Sequence, residues 1–267
     1  MRVRFIQSPS VESMPDHKSV LNIEIASIAS SEFISSELNG IIFTPNVDHL
    51  IKLQKDSKFY ACYQKADWVI CDSKIISVAS KFLGNPIKEV IPGSDLFPEY
   101  CKKVAAEKSN GRKVFILGGT TPEITKKAVN NLRNYSIHDF IVGAYCPPFG
   151  FEQNENEKKH IIYLIQRSGA NVLAVGVGAP KQEKFIIEIK DSLNEVDTYF
   201  AIGATIDFIS GDLKRAPKWV QKIGFEWFYR MMMDPKRLVK RYLVDDLPFF
   251  WLVLKQKLGI YKNPFQN

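Results

Sequence analysis

From Ile41 onward the chain alternates short apolar runs with longer stretches of helical period. Strand-like runs fall at Ile41–Thr44, Trp68–Cys71, Val114–Leu117, Phe140–Gly143, Val172–Val175 and Tyr199–Ile202. Runs this short, without polar alternation, read as strands buried on both faces, and their interleaving with amphipathic helices predicts a mostly parallel sheet covered on both sides. The helix starts agree. Thr121 followed by Pro122 and Glu123 combines an N-cap, a proline at the first helical position and an acidic first turn, and Pro180 opens a later helix in the same manner. The expected fold class is therefore α/β, a Rossmann-like sheet with helices on both faces. Residues 1 to about 20 show no periodicity and read as a loosely held leader. An α/β domain follows over 21–212, and a helical segment over 213–267 closes the chain.

In such sheets ligands bind in the crevice beyond the carboxyl ends of the strands. The residues at those ends are Thr44-Pro45-Asn46, Asp72-Ser73, Gly118-Gly119-Thr120-Thr121, Tyr145, Gly176-Val177-Gly178 through Gln182-Glu183, and Gly203-Ala204-Thr205-Ile206-Asp207. The fold gathers all of them on one rim.

Composition changes this picture little, except in where charge sits. With 267 residues, 45% hydrophobic and 24% charged, the chain is ordinary globular material. Cys62, Cys71, Cys101 and Cys146 form no CxxC pair and read as reduced, mostly structural thiols. The longest nearly apolar run, Leu247 to Leu254, has eight residues and a proline, against the roughly 20 that span a bilayer. No apolar signal core opens the chain, so a cytoplasmic protein is expected. The net charge is +7, yet Leu213 to Lys262 holds 12 Lys/Arg against four Asp/Glu, leaving the remainder nearly neutral. The same segment carries Trp219, Trp227 and Trp251 with Phe225, Phe228, Tyr229, Phe249 and Phe250. Basic residues interleaved with aromatics suit an anionic membrane surface. They also suit nucleic acid, or a solvated helix face whose aromatics are core.

Each rim feature carries two readings. Gly118-Gly119 before a capped helix could direct amide N–H groups at a phosphate or merely make a tight turn, and Gly176-x-Gly178 has the same ambiguity. Neither GxGxxG nor GxxxxGK[ST] occurs. Gln182 and Glu183, in a first helical turn, could bond a sugar or base or complement the helix dipole. Asp72 could take a proton from an attacking hydroxyl, or cap the helix after it with Ser73. Thr44 and Asn46 could bind a ligand hydroxyl or cap the helix near Val47, and His49 reads as packed or solvent-facing. No DxD pair is present to hold Mg²⁺ on a diphosphate, so no metal is expected and Lys, Arg and helix N-termini would have to meet phosphate charge.

Several blocks together resemble the WecG/TagA/CpsF glycosyltransferases, glycosyltransferase family 26. They are Thr44-Pro45-Asn46-Val47-Asp48-His49, Ala66-Asp67-Trp68 through Asp72, Pro92-Gly93-Ser94-Asp95-Leu96, Gly176 through Glu183, and Gly203 through Phe208. Arg215-Ala216-Pro217-Lys218-Trp219, Gly224-Phe225-Glu226-Trp227 to Arg230, Pro235-Lys236-Arg237-Leu238 and Arg241-Tyr242 complete the set. The order covers about residues 20 to 245. The resemblance implies inverting transfer of a sugar, of N-acetylmannosamine type or a related hexose, from a UDP donor to a polyprenyl-diphosphate-linked sugar in surface polysaccharide or wall polymer synthesis. It implies Asp72 as base with Thr44 and Asn46 beside it, and Gln182 on substrate. The nucleotide would be held by Tyr145 and Asp207, and the Gly118, Gly119 and Gly178 turns would face the donor. Arg215, Arg230, Arg237 and Arg241 would meet the acceptor's diphosphate. Two positions depart from the family pattern: Ser73 stands where Gly is usual, and Val90 where Arg is common.

The expected enzyme needs no cofactor, works at the inner face of the cell membrane and binds no nucleic acid. Self-association through the basic aromatic face stays open. So does a catalytically silent sugar-nucleotide-binding scaffold, which loss of turnover in Asp72→Asn with retained UDP binding separates from an enzyme.

Overall fold

The computed structural model describes residues 16–34, 38–107, 111–136, 138–217, 219–220 and 225–266. It opens with an antiparallel hairpin, β1 (Asp16–Val20) and β2 (Ile23–Ser27), followed by a short helix α1 (Ser30–Phe33). The main sheet then alternates strand and helix. Strand β3 (Gly40–Phe43) leads to α2 (Val47–Lys52) and α3 (Ser57–Tyr63), and β4 (Trp68–Val69) to α4 (Lys74–Leu83) and α5 (Gly93–Ala106). Next come β5 (Val114–Gly118), α6 (Pro122–Arg133), β6 (Ile141–Tyr145), α7 (Glu155–Ser168), β7 (Val172–Gly176), α8 (Lys181–Ile189), β8 (Thr198–Ala201) and α9 (Thr205–Ser210). The six strands β3 to β8 are all parallel, in the order β4-β3-β8-β7-β5-β6.

All six expected strands are present within one or two residues of their expected bounds. Their unbroken apolar character has a direct cause in the period-2 geometry of a strand covered on both sides. Ile41, Phe43, Phe115, Leu117, Leu173 and Val175 point to one face, where they meet Leu50, Phe59, Ile161, Phe185 and Ile186. Ile42, Val114, Ile116, Val172 and Ala174 point to the other, against Phe97, Tyr100, Val104, Val129 and Ile206. Local chemistry starts the helices: Thr121 accepts from Ile124 N at 3.3 Å with Pro122 behind it, and Asp56 accepts from Phe59 N at 2.9 Å.

The hairpin is absent from the pattern-based reading, which placed residues up to about 20 in a loose leader. Asp16–Val20 is mostly polar and lies half in solvent; its partner β2, not its own hydrophobicity, holds it. Residues 1–15 lie outside the described part.

The basic C-terminal segment is less separate than its composition implies. Helices α10 (Glu226–Met233), α11 (Pro235–Lys240) and α12 (Pro248–Lys257) follow α9. Phe249 and Val253 of α12 sit in the main core. Beyond it, Tyr261 donates to Gln54 at 2.7 Å, Asn263 to Tyr60 at 3.0 Å, and the Phe265 ring lies 5.3 Å from that of Tyr60. Residues 248–266 thus pack onto the α/β body, while α10 and α11 lie nearer its rim.

Candidate active site

Adjacent strands β3 and β8 send their following helices to opposite faces: α2 and α3 pack on one, α9 on the other. A crevice must open where they part. It holds a cavity of about 930 Å³, a size suited to a ligand of several rings. Thr44, Asn46, Asp72, Gly93, Gly178, Gln182 and Gly203 line it from the sheet side, and Glu226, Trp227, Arg241, Tyr242, Asp246 and Phe250 from the C-terminal segment.

The carboxylate is held by its surroundings. Ser73, not Asp72, caps α4, accepting from Ile75 N at 3.2 Å. The Asp72 side chain lines the cavity, where its Oδ1 accepts from Gly93 N at 3.0 Å. Gly93 is constrained from a second side, since a Cβ built there would lie 2.7 Å from Thr44 Oγ1. One glycine at the head of α5 therefore sets both the carboxylate and the hydroxyl.

Beside them, Asn46 takes the capping role foreseen for it and a protein partner that was not. Its Oδ1 accepts from His49 N at 3.3 Å, capping α2, and from Arg241 Nη2 at 3.2 Å, tying the C-terminal segment to the rim. Arg241 also pairs with Asp48 at 3.4 Å and approaches Asp246 at 4.0 Å, while Lys52 bonds Asp48 at 2.8 Å. Burial pushes the Asp246 carboxyl up to about 6, against the pull of Arg241. His49 is packed: it is buried, its Nδ1 lies 2.8 Å from Tyr63 Oη, and burial drives its pKa down to about 3, so the ring is neutral at physiological pH.

Gln182 is buried beneath the cavity, where its Oε1 accepts from Gly178 N at 3.2 Å and Gly203 N at 3.0 Å. Its neighbour Glu183 is fully buried, and burial raises that carboxyl to about 7.

The other candidates lie elsewhere. Gly118, Gly119, Tyr145 and Asp207 do not line the cavity. A Cβ on Gly118 would stand 2.3 Å from Gly176 O, one on Gly119 2.4 Å from Thr125 Oγ1, and Gly119 N donates to Gly176 O at 3.2 Å. Close contact with the β7 turn accounts for Gly118, and with Thr125 of α6 for Gly119. Asp207 accepts from Thr120 N at 3.2 Å and from its hydroxyl, and Tyr145 donates to Glu157 at 2.7 Å. Arg215 sits behind the cavity wall, in a bidentate pair with Asp95 and 3.9 Å from Glu226. The side chains of Arg230 and Arg237 lie outside the described residues.

Asp48, Lys52, Trp227, Tyr242 and Asp246 line the cavity without having been singled out as candidates. For Asp246 a signal existed: Asp245-Asp246 is an acidic pair in an otherwise basic segment. Part of the cavity lining is exposed and apolar. Exposed Leu247 and Phe250 border it, and exposed Trp251, Leu254, Val78 and Phe82 are carried on α12 and α4. Among the described residues no helix is long and apolar enough to cross a membrane, and no cluster of three or more His, Cys, Asp or Glu is placed to hold a metal ion.

Compared with known protein families, the chain matches the model of the glycosyl transferase WecG/TagA/CpsF family over residues 19–263, nearly its whole length.

Proposed function

The chain belongs to the WecG/TagA/CpsF family, glycosyltransferases of cell-surface polysaccharide synthesis, and on that premise we propose that it moves an N-acetylmannosamine-type sugar from a UDP donor to a polyprenyl-diphosphate-linked sugar with inversion. The observation that carries this reading is the Asp72 carboxylate, held by Gly93 in a cavity shared with Thr44 and Asn46. An acceptor hydroxyl attacks the anomeric carbon, Asp72 takes its proton, and the bond to the UDP oxygen breaks with the electron pair leaving on the diphosphate. Charge growing there is met by Arg241, Lys52 and Lys74, and by the N-termini of α2, α4, α5 and α9, which a parallel sheet aims at the same rim. With that charge supply the reaction runs without a resident metal. Arg215 acts from behind the wall, orienting Asp95.

The exposed apolar part of the lining supports the second half of the reading. Phe250 borders the cavity, and the same helix α12 carries exposed Trp251 and Leu254 with Lys255 and Lys257, an aromatic and basic face on which a prenyl chain anchored in a bilayer would arrive. The enzyme then works as a peripheral protein at the inner membrane face.

Released UDP, measured over a panel of UDP-sugars with a short-chain prenyl-diphosphate-linked monosaccharide, tests reaction class and donor together. Turnover is expected with UDP-N-acetylmannosamine and is expected to survive a chelator; no UDP release with any donor would overturn the reading. Truncation at Leu213 is a poor test of anchoring, because it strips Phe249 and Val253 from the core. The double variant Phe250→Ser, Trp251→Ser leaves the core intact and should lower sedimentation with phosphatidylglycerol vesicles by at least about tenfold. If it instead turns an oligomer into a monomer while sedimentation holds, the face joins copies of this chain.

A further inference from the structure

The side-chain amide of Gln182 is engaged at both ends. Its oxygen takes the N–H of Gly178, in the turn after β7, and the N–H of Gly203, in the turn after β8; both turns border the cavity. Two backbone donors can be met only by the oxygen end of the amide, so a flipped Gln182 would set NH₂ against both. The other end opposes a flip as well: Nε2 donates to Glu183 Oε1 at 2.9 Å, where a flipped amide would set oxygen against oxygen.

Glu183 is otherwise a costly residue. Its side chain is fully buried and its Oε2 has no hydrogen-bond partner among the described residues. It feels the charge of Lys52 and Asp48 on α2, yet none of the described residues forms an ion pair with it. A carboxyl kept in such a place needs a local reason, since an apolar side chain would avoid the desolvation penalty.

We propose that Glu183 is the positioning residue of the cavity floor: it holds the Gln182 amide in the single orientation that staples the β7 and β8 turns together. The inference rests on the cavity being the donor site, but the staple can be tested without any donor. The acceptor oxygen, not the negative charge, is what the geometry requires. Glu183→Gln keeps that oxygen and Glu183→Leu removes it.

Hydrogen exchange by mass spectrometry on the full chain reads the staple through peptides covering 176–183 and 201–206. Calorimetry with UDP as probe reads the floor it shapes. In Glu183→Gln, exchange in both peptides and the UDP dissociation constant should stay within about threefold of wild type; in Glu183→Leu both should change by about tenfold or more, with exchange in β3 and β5 unaltered. In turnover, the loss in Glu183→Leu should fall on the donor KM more than on kcat. Wild-type exchange in Glu183→Leu would overturn the proposal, and so would a Glu183→Gln protein as impaired as Glu183→Leu. Should the leucine variant not fold, Glu183→Gln decides alone: protection within about threefold supports the staple, and a tenfold loss refutes it. If wild type fails to bind UDP, the donor reading falls while the exchange arms still judge the staple.

Discussion

The two halves of the rim are built from the same kind of residues and do different things. Around β3, β8 and β4 the strand ends part, because consecutive helices leave to opposite faces, and a cavity opens with Asp72, Asn46 and Arg241 on its walls. Where β5 meets β7 the turns close on each other: Gly118 lies against Gly176 O, Gly119 against Thr125, and Asp207 is engaged by Thr120. A glycine turn or a carboxylate at a strand end therefore becomes a site only where topology leaves room in front of it. Gly178 shows the contrast within one loop, since open space surrounds the position its Cβ would take.

The sharpest way to break this comparison is Asp72→Asn. Loss of a general base should lower turnover by about 10²–10⁴-fold while the UDP dissociation constant changes little; equal turnover in the variant would remove the cavity half's claim to chemistry. Next comes Gly118→Ala, whose methyl meets a backbone carbonyl at 2.3 Å with φ at +130°. It should cost about 3 kcal/mol or more in a urea melt. Gly178→Ala, at φ +84° in open space, should cost about 1–2 kcal/mol. Equal costs would mean that the two halves are not packed differently.

A pH series distinguishes the buried groups beneath the cavity. Burial raises Glu183 from 4.5 to about 7, so the folded state holds its proton more tightly than the unfolded chain. The stability this contributes is present below about 4.5 and is lost as pH rises through 7. Asp246, raised to about 6, acts in the same sense; His49, lowered to about 3, acts oppositely, its contribution being lost as pH falls from 6.5. Glu183→Gln removes only the first, so its stability relative to wild type should climb by roughly 2–3 kcal/mol between pH 4.5 and 8. A flat difference would show that Glu183 titrates as an ordinary carboxylate. The smallest effect belongs to the closed half. Thr120→Val deletes the hydroxyl bond to Asp207 and should cost about 1 kcal/mol or less, with UDP affinity within about threefold of wild type. A larger loss of affinity would show that the nucleotide reaches across β7.

Much of this molecule is legible in one dimension. Apolar runs mark the strands because each buries both faces, and Thr121-Pro122 marks a helix start because capping depends on neighbours only. The Asp72 carboxylate at a strand end is legible too, since parallel strands present all their carboxyl ends on one rim. What the chain does not show locally is which rim residues share a cavity. Asn46 and Arg241 are 195 positions apart and bond at 3.2 Å, and Arg215 turns to Asp95 across 120. The hairpin and the docking of Phe249, Val253 and Phe265 are hidden likewise, for their stability comes from partners distant in sequence rather than from periodicity. Strand order decides all of these. It depends on how each crossover packs against the finished sheet, a many-body choice of burial and helix handedness that no single segment contains.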